Sequence, residues 1–170
     1  MKVKESVDLI VRHHPHSQSL NKKLLEDSMD ADYESHGLSY RKYVYSQHSP
    51  WRTTSSTITL VKNWVTTLIK QEYGIVGANI DAIETWFSRY KKGDYSLPHW
   101  HKAYLFAFVY FVKCPPGSSP LILTTSGKRI KPEEGKVVIF PGMVEHHVPK
   151  NKCDERVVLA GNILNLGEMV

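Results

Sequence analysis

The 170-residue chain has 41% hydrophobic and 23% charged residues, which is typical of a globular protein and excludes a low-complexity or collagen-like chain. Its formal net charge of +5 comes from scattered Lys and Arg, a pattern that favours a solvated basic surface over a dedicated nucleic-acid interface. No apolar run approaches membrane-spanning length, the charged N-terminal segment lacks a signal-peptide pattern, and Cys114 and Cys153 form no CxxC motif. We therefore expect one cytoplasmic domain over residues 1–170, without a membrane partner.

The N-terminal part, residues 1–76, carries helical and loop signals. Ser17 or Ser19 is placed to cap a short helix through Asn21–Met29. The stretch Asp30–Thr57 has Gly, Pro, Ser and Tyr without periodicity, which predicts a loop.

A second helix is predicted over Ile58–Tyr73, with Gly74 as the residue that follows its C-terminus. Apolar residues recur at helical spacing and form one stripe: Val61, Trp64, Val65, Leu68 and Ile69. This stripe is expected to pack against a sheet.

The remainder, residues 79–166, reads as strands separated by Pro- and Gly-containing turns. The predicted strands are Ile83–Tyr90, Ala103–Val112, Leu121–Thr125, Lys136–Phe140 and Arg156–Leu164. Short strands at this spacing predict an all-β sandwich or barrel. The expected fold is therefore mainly β, with the helical N-terminal part packed on the sheet.

Three histidines have a spacing that suits a metal site. If the stretch that carries them is extended, His99 and His101 point to the same face, because alternate residues of a strand do so. A third histidine, His146, follows a predicted strand that ends in Phe-Pro-Gly. Three ligands would leave open positions on an octahedral metal for a substrate and dioxygen. Trp100, between the first two histidines, is expected to face the other way and pack in the core.

Arg156 begins the last predicted strand, from which its guanidinium could reach the metal pocket. A buried Arg needs an anionic partner, and a bidentate carboxylate of a cosubstrate matches its fork. The alternative is a structural ion pair with Glu155 or another acid. His147, the neighbour of His146, would face away on a strand.

These residues resemble the 2-oxoglutarate- and Fe(II)-dependent oxygenase superfamily, whose fold is the double-stranded β-helix, or jelly roll. Its pattern of HxD or HxE, a distal His and a later Arg matches His99, His101, His146 and Arg156. The stretches Phe140–Val148 and Glu155–Asn162 look like those of small members found in bacteria and phages. The resemblance favours His146 over His147 as the third ligand.

The resemblance implies Fe(II) and 2-oxoglutarate as cofactors, with dioxygen hydroxylating a substrate C–H bond. Ser88–His101 has the spacing of the NxYxxG…HxD stretch of AlkB-type dealkylases, which implies that Tyr90 helps Arg156 bind the distal carboxylate of 2-oxoglutarate. Asn162, on the same strand face as Arg156, is expected to contact the cosubstrate or line the pocket. Trp86, Lys102 and Tyr104 are expected near the pocket mouth.

The departures from this pattern leave two alternatives open. His101 replaces the carboxylate ligand, and the spacings Gly93-(x)5-His99-x-His101 and Gly135-(x)5-Pro141-(x)4-His146 also resemble the two cupin motifs. The alternatives are a three-His cupin-type dioxygenase without 2-oxoglutarate and a non-catalytic metal-binding jelly roll. The substrate stays open among a protein residue, an amino acid, a nucleobase and a metabolite, and a homodimer is also open.

Overall fold

The computed structural model describes residues 7–33 and 43–167, which form two antiparallel sheets and two helices. The helices are α1 (Ser17–Asp30) and α2 (Ser56–Glu72). The strands are β1 (Ile10–His13), β2 (Val44–Tyr45), β3 (Gln47–His48), β4 (Ile80–Tyr90), β5 (Tyr95–His99), β6 (Phe106–Lys113), β7 (Leu121–Leu123), β8 (Lys128–Ile130), β9 (Lys136–Pro141), β10 (His146–Val148) and β11 (Arg156–Asn165).

The first sheet has six strands in the order β1-β9-β6-β11-β4-β3, and the second has five in the order β2-β5-β10-β7-β8. Apolar side chains from both sheets pack together between them, among them Val109 and Phe111 from the first sheet and Leu121 and Val148 from the second. The structure thus confirms the mainly β, double-stranded β-helix fold predicted from residues 79–166.

Strands β6 and β11 are buried on both faces. Along β11, Val157 and Leu159 contact the helices, whereas Val158 points between the sheets. Along β6, Phe108 and Phe111 divide in the same way. Such strands read as continuous apolar runs, because neither face meets water.

Helix α2 packs on the outer face of the six-stranded sheet through the predicted stripe. Val61, Val65 and Ile69 are fully buried there. Gly74, at φ +64°, follows the helix as predicted, and the Gly74 and Ile75 amides donate to carbonyls of the last turn. None of the helices in the described ranges is both long and apolar enough to cross a membrane.

The predicted caps of α1 are wrong. The helix begins at Ser17, so Ser17 is its first helical residue, and His16 occupies the cap position without a side-chain hydrogen bond. Ser19 lies within the first turn, where its hydroxyl donates to the His16 carbonyl.

Some strand boundaries also differ from the prediction. Residues 103–105 are not part of β6, because the Tyr104 amide donates to the His101 carbonyl in a turn. The predicted loop Asp30–Thr57 contains β2 and β3, and its residues 34–42 lie outside the described part of the chain. The short strands β1, β5, β8 and β10 were not predicted as strands, since three to five residues carry little periodicity.

The cap of α2 generates a stability prediction. Ser55 Oγ accepts from the Ile58 amide at 3.0 Å and donates to Asp27 of α1 at 2.6 Å. We expect Ser55→Ala to lower the free energy of unfolding by about 1 kcal/mol, because an amide at the helix start loses its acceptor. Urea denaturation measures this change. Ser56→Ala, an exposed neighbour, is the control and should shift stability far less.

Candidate metal and anion site

The three predicted histidines meet at one end of the space between the sheets. His99 ends β5 and His146 begins β10, and the two are direct partners in the antiparallel pairing of these strands. His101 lies just beyond β5, so the extended conformation under which the two histidines were expected to share a face holds only for His99. The register, together with the turn after β5, brings the rings together.

The imidazole rings surround a common point. Ring centroids are 4.4 Å apart for His99 and His146, 5.4 Å for His99 and His101, and 5.3 Å for His101 and His146. One ring nitrogen from each lies within 4.8 Å of the others. Among residues 7–33 and 43–167, this is the only cluster of three or more His, Cys, Asp or Glu side chains with metal-binding geometry.

Backbone carbonyls orient two of these rings. His99 Nδ1 lies 2.7 Å from the Leu97 carbonyl, and His146 Nδ1 lies 3.0 Å from the Val144 carbonyl. A carbonyl only accepts, so each Nδ1 carries the proton and each Nε2 keeps a free lone pair. Fixing the tautomer in this way is a common feature of metal-binding histidines.

The environment keeps the three imidazoles neutral. Burial lowers the pKa of His101 to about 4 and lowers that of His99, while burial and the neighbouring imidazole of His99 hold the pKa of His146 well below its usual 6.5. Metal binding requires the unprotonated ring, so at neutral pH no proton has to leave first.

His147 is not part of this cluster. It lies on the other face of β10, where its Nδ1 is 3.0 Å from the Thr124 hydroxyl. The alternation of side chains along a strand therefore separates two adjacent histidines, as the sequence predicted.

Gly142 fixes the position of His101. The Gly142 carbonyl accepts from the His101 amide at 2.7 Å, and the Gly142 amide donates to the Leu105 carbonyl at 2.9 Å. A Cβ at this position would lie 2.5 Å from the His101 carbonyl and 2.3 Å from that of Tyr104. Only glycine allows the two backbones to approach so closely.

Arg156 and Tyr90 form a second polar pair, on the six-stranded sheet. They are direct partners in the pairing of β11 with β4, and the guanidinium carbon lies 4.6 Å from the centre of the Tyr90 ring and 5.5 Å from that of Phe111. The Tyr90 hydroxyl faces Ser46, Arg156 and Ser96, and burial raises its pKa.

Arg156 is a buried cation without a carboxylate partner among the described residues. It is 1% exposed, and its Nε and Nη1 have no hydrogen-bond partner there. The expected alternative, an ion pair with Glu155, is wrong, because Glu155 pairs with Arg89 and Lys113 instead. Burying an unpaired charge is costly, so this guanidinium is suited to receive an anion.

One cavity of about 210 Å³ joins the two clusters. His99, His101 and His146 line it together with Arg156 and Tyr90. Trp86 also lines it, together with His48 and Trp51. The interior therefore offers three neutral nitrogen donors and one unpaired cation to the same small molecule.

Asn162 and Trp100 lie elsewhere than predicted. Asn162 is buried but lines a neighbouring groove beside His101, not the cavity that contains Arg156. The core position expected for Trp100 is wrong, since its side chain is 48% exposed and borders both spaces. Trp100 lies past the end of β5, so strict alternation does not apply to it.

Sequence reasoning missed some residues around the site. His48 and Trp51 belong to a segment predicted to be loop, and a two-residue strand leaves no periodic signal. Glu84, which lines the groove, was detectable from the sequence. On the predicted strand Ile83–Tyr90 it shares a face with Trp86, Ser88 and Tyr90. An acid on the inward face of a strand was the available signal.

Comparisons with solved structures show the same fold at low sequence identity. The viral collagen prolyl hydroxylase vCPH from Paramecium bursaria Chlorella virus-1, in a 2OG complex, has a TM-score of 0.72 at 17% identity over 91% of this chain and 94% of that one. A Pseudomonas putida prolyl-4-hydroxylase has 0.73 at 18% over 95% of both chains. HygX from Streptomyces hygroscopicus, with nickel and 2-oxoglutarate bound, has 0.71 at 9% over 94% and 84%.

No protein-family model matches the sequence, and no curated protein matches it. The chain thus has the double-stranded β-helix fold that these solved structures share.

The cluster predicts the effect of removing one imidazole. His146→Ala should weaken Co(II) binding by more than about tenfold, because changing even an outer partner of a ligand costs about 10- to 100-fold in affinity. Calorimetric titration of metal-free protein measures this. His147→Ala is the matched control and should bind Co(II) like wild type; equal loss in both variants would contradict the assignment.

Proposed function

We propose that the chain is an Fe(II)- and 2-oxoglutarate-dependent oxygenase that hydroxylates a substrate C–H bond. The observation that carries this proposal is the cavity shared by three imidazoles and the unpaired, buried Arg156. A metal site alone would not need this cation. A keto acid with a second carboxylate needs both ends of the cavity.

His99, His101 and His146 would hold the metal. Fe(II) with 2-oxoglutarate supplies the activation of dioxygen that C–H hydroxylation requires. The chain's own part is to keep three rings neutral and oriented and to enclose the reaction between two sheets. No side chain has to act as a proton donor or acceptor at the substrate.

Arg156 would bind the distal carboxylate of the cosubstrate. A guanidinium forms charge-assisted hydrogen bonds to a carboxylate, and Nε and Nη1, which have no partner among the described residues, have N–H groups left to donate. Tyr90 stacks against the guanidinium and places its hydroxyl beside it. The packing of Tyr90 and Phe111 around Arg156 holds the fork in one orientation.

Charge also supports a dianionic cosubstrate. Three neutral imidazoles leave the two positive charges of Fe(II) uncompensated, unlike a site with a carboxylate ligand. Arg156 adds a third positive charge, and none of the acidic side chains in the described ranges lines the cavity. A dicarboxylate balances most of this charge in a site that excludes water.

The comparisons add support at the level of fold. Two of the similar structures are named with 2-oxoglutarate bound, one of them also with nickel. We place the reaction in the cytoplasm, an assignment supported by the two free cysteines, Cys114 and Cys153.

A dioxygenase that uses the three histidines without 2-oxoglutarate is the second candidate. The all-imidazole donor set favours it, because the carboxylate ligand typical of the oxygenase superfamily is absent. Arg156 separates the two, since this second activity gives the buried cation no role.

The test is anaerobic titration of the Fe(II)-loaded protein with 2-oxoglutarate. Two readouts report binding: the heat measured by calorimetry and the visible charge-transfer band of the chelate. Arg156→Met should weaken binding by about thirtyfold or more, as removing one partner of a buried charge pair costs about 2–5 kcal/mol. Without ligand, this variant should unfold no more readily than wild type, because an unpaired buried charge is removed.

Arg89→Met is the matched control. Arg89 neighbours Tyr90 on β4 but pairs with Glu155 on the opposite face, so its loss should leave 2-oxoglutarate affinity unchanged. If wild-type protein with iron bound does not bind 2-oxoglutarate, the proposal is wrong and the second candidate gains.

A further inference from the structure

A second space opens beside the metal cluster. We call it the Glu84 groove: a concave surface of about 450 Å³ lined by Trp51, Glu84, Trp100, His101, Lys102, Ala103, Tyr104 and Asn162. Trp51, Trp100 and His101 line both this groove and the cavity, so the two meet at His101. A molecule in the groove would lie next to the metal site without occupying the Arg156 end.

A carboxylate residue and an amide residue, Glu84 and Asn162, line this groove side by side. Asn162 and Glu84 are direct partners in the β11–β4 pairing, and Asn162 Nδ2 donates to Glu84 Oε2 at 2.8 Å. A carboxylate only accepts, so this bond fixes the amide orientation and leaves Asn162 Oδ1 as a second acceptor. Asn162 is 2% exposed, and its Oδ1 has no partner among the described residues.

Glu84 takes part in no ion pair within the part of the chain that the structure describes. It lies beside the hydroxyl of Tyr104, whose pKa is raised by burial and by this carboxylate. A carboxylate beside an unsatisfied amide oxygen suits a ligand that donates hydrogen bonds and carries positive charge.

Aromatic walls add to this preference. Trp51 and Trp100 border the groove, and Trp faces attract cations. The Trp100 ring already holds a cation in this structure, because the Lys102 ammonium lies 4.1 Å from its centre. The positive groups nearby are Lys102 and Arg52, the second of which lowers the pKa of Tyr104. Both side chains are exposed, so water screens their charges.

We propose that the Glu84 groove binds the oxidised substrate through a cationic N–H group, an ammonium or a guanidinium, received by Glu84 and Asn162. That the bound cation is the substrate rests on the proposed oxygenase activity, whereas its binding in the groove does not. The cation would come either from a free basic amino acid or from a Lys or Arg side chain of a peptide.

The experiment compares cationic ligands with neutral ligands of the same shape. N-acetyl-L-arginine amide and N-acetyl-L-lysine amide are titrated against N-acetyl-L-citrulline amide and N-acetyl-L-norleucine amide, following tryptophan fluorescence. We expect at least one cationic ligand to bind at least tenfold more tightly than its neutral counterpart. Glu84→Gln should remove this preference, and Asn162→Leu should weaken the binding of the cationic ligand.

Glu72→Gln is the control, because Glu72 is a surface acid paired with Arg12. It should keep the wild-type preference, and thermal denaturation checks that each variant is folded. Free L-arginine and L-lysine form a further arm: tighter binding than the blocked amides identifies a free amino acid, and weaker binding identifies a peptide residue.

Equal affinity for cationic and neutral ligands, or binding of neither, would overturn the inference. The titrations are made without 2-oxoglutarate, so their outcome does not depend on Arg156. A preference for cations without 2-oxoglutarate binding would support the groove assignment and show that the oxygenase proposal is wrong. Binding of 2-oxoglutarate without a preference for cations would support the oxygenase proposal and overturn the groove assignment.

Discussion

The antiparallel register of two strand pairs is the constraint on which the candidate site depends. Pairing β5 with β10 places His99 opposite His146, and pairing β11 with β4 places Arg156 opposite Tyr90. Side chains alternate between faces, so a shift of one residue in either pair would send a histidine or the arginine to the wrong side. The backbone pairing of these strands thus determines which side chains enter the cavity.

Packing explains why the cavity lies where it does. The helices cover the outer face of the six-stranded sheet, and α2 buries Val61, Val65 and Ile69 there. Because that face supplies a large apolar core, the inner face can carry polar groups. An unpaired guanidinium between the sheets destabilises the fold, and the aromatic rings of Tyr90 and Phe111 offset part of this cost.

The two spaces that meet at His101 differ in charge, and this difference gives the site a direction. The cavity contains a buried cation, whereas the groove contains Glu84, the exposed Lys102 and an Asn162 oxygen that has no partner among the described residues. An anionic and a cationic ligand would therefore sort themselves to opposite sides of the imidazole cluster. Both polar walls come from β4 and β11, whose pairing continues from Arg156–Tyr90 to Asn162–Glu84.

The sequence by itself determined the fold class, the stripe of α2 with its terminating Gly74, and the association of His99, His101, His146, Arg156 and Tyr90. The stripe and Gly74 follow from local periodicity and turn chemistry, whereas the jelly-roll fold, the choice of His146 and the role of Tyr90 follow from the resemblance of the motifs to a known family. Only the tertiary structure decided that Arg156 has no acidic partner among residues 7–33 and 43–167, that Asn162 lies with Glu84 in a separate groove, and that Trp100 is exposed. Such facts depend on which distant strands become neighbours and on where β5 ends, and no local pattern encodes either one.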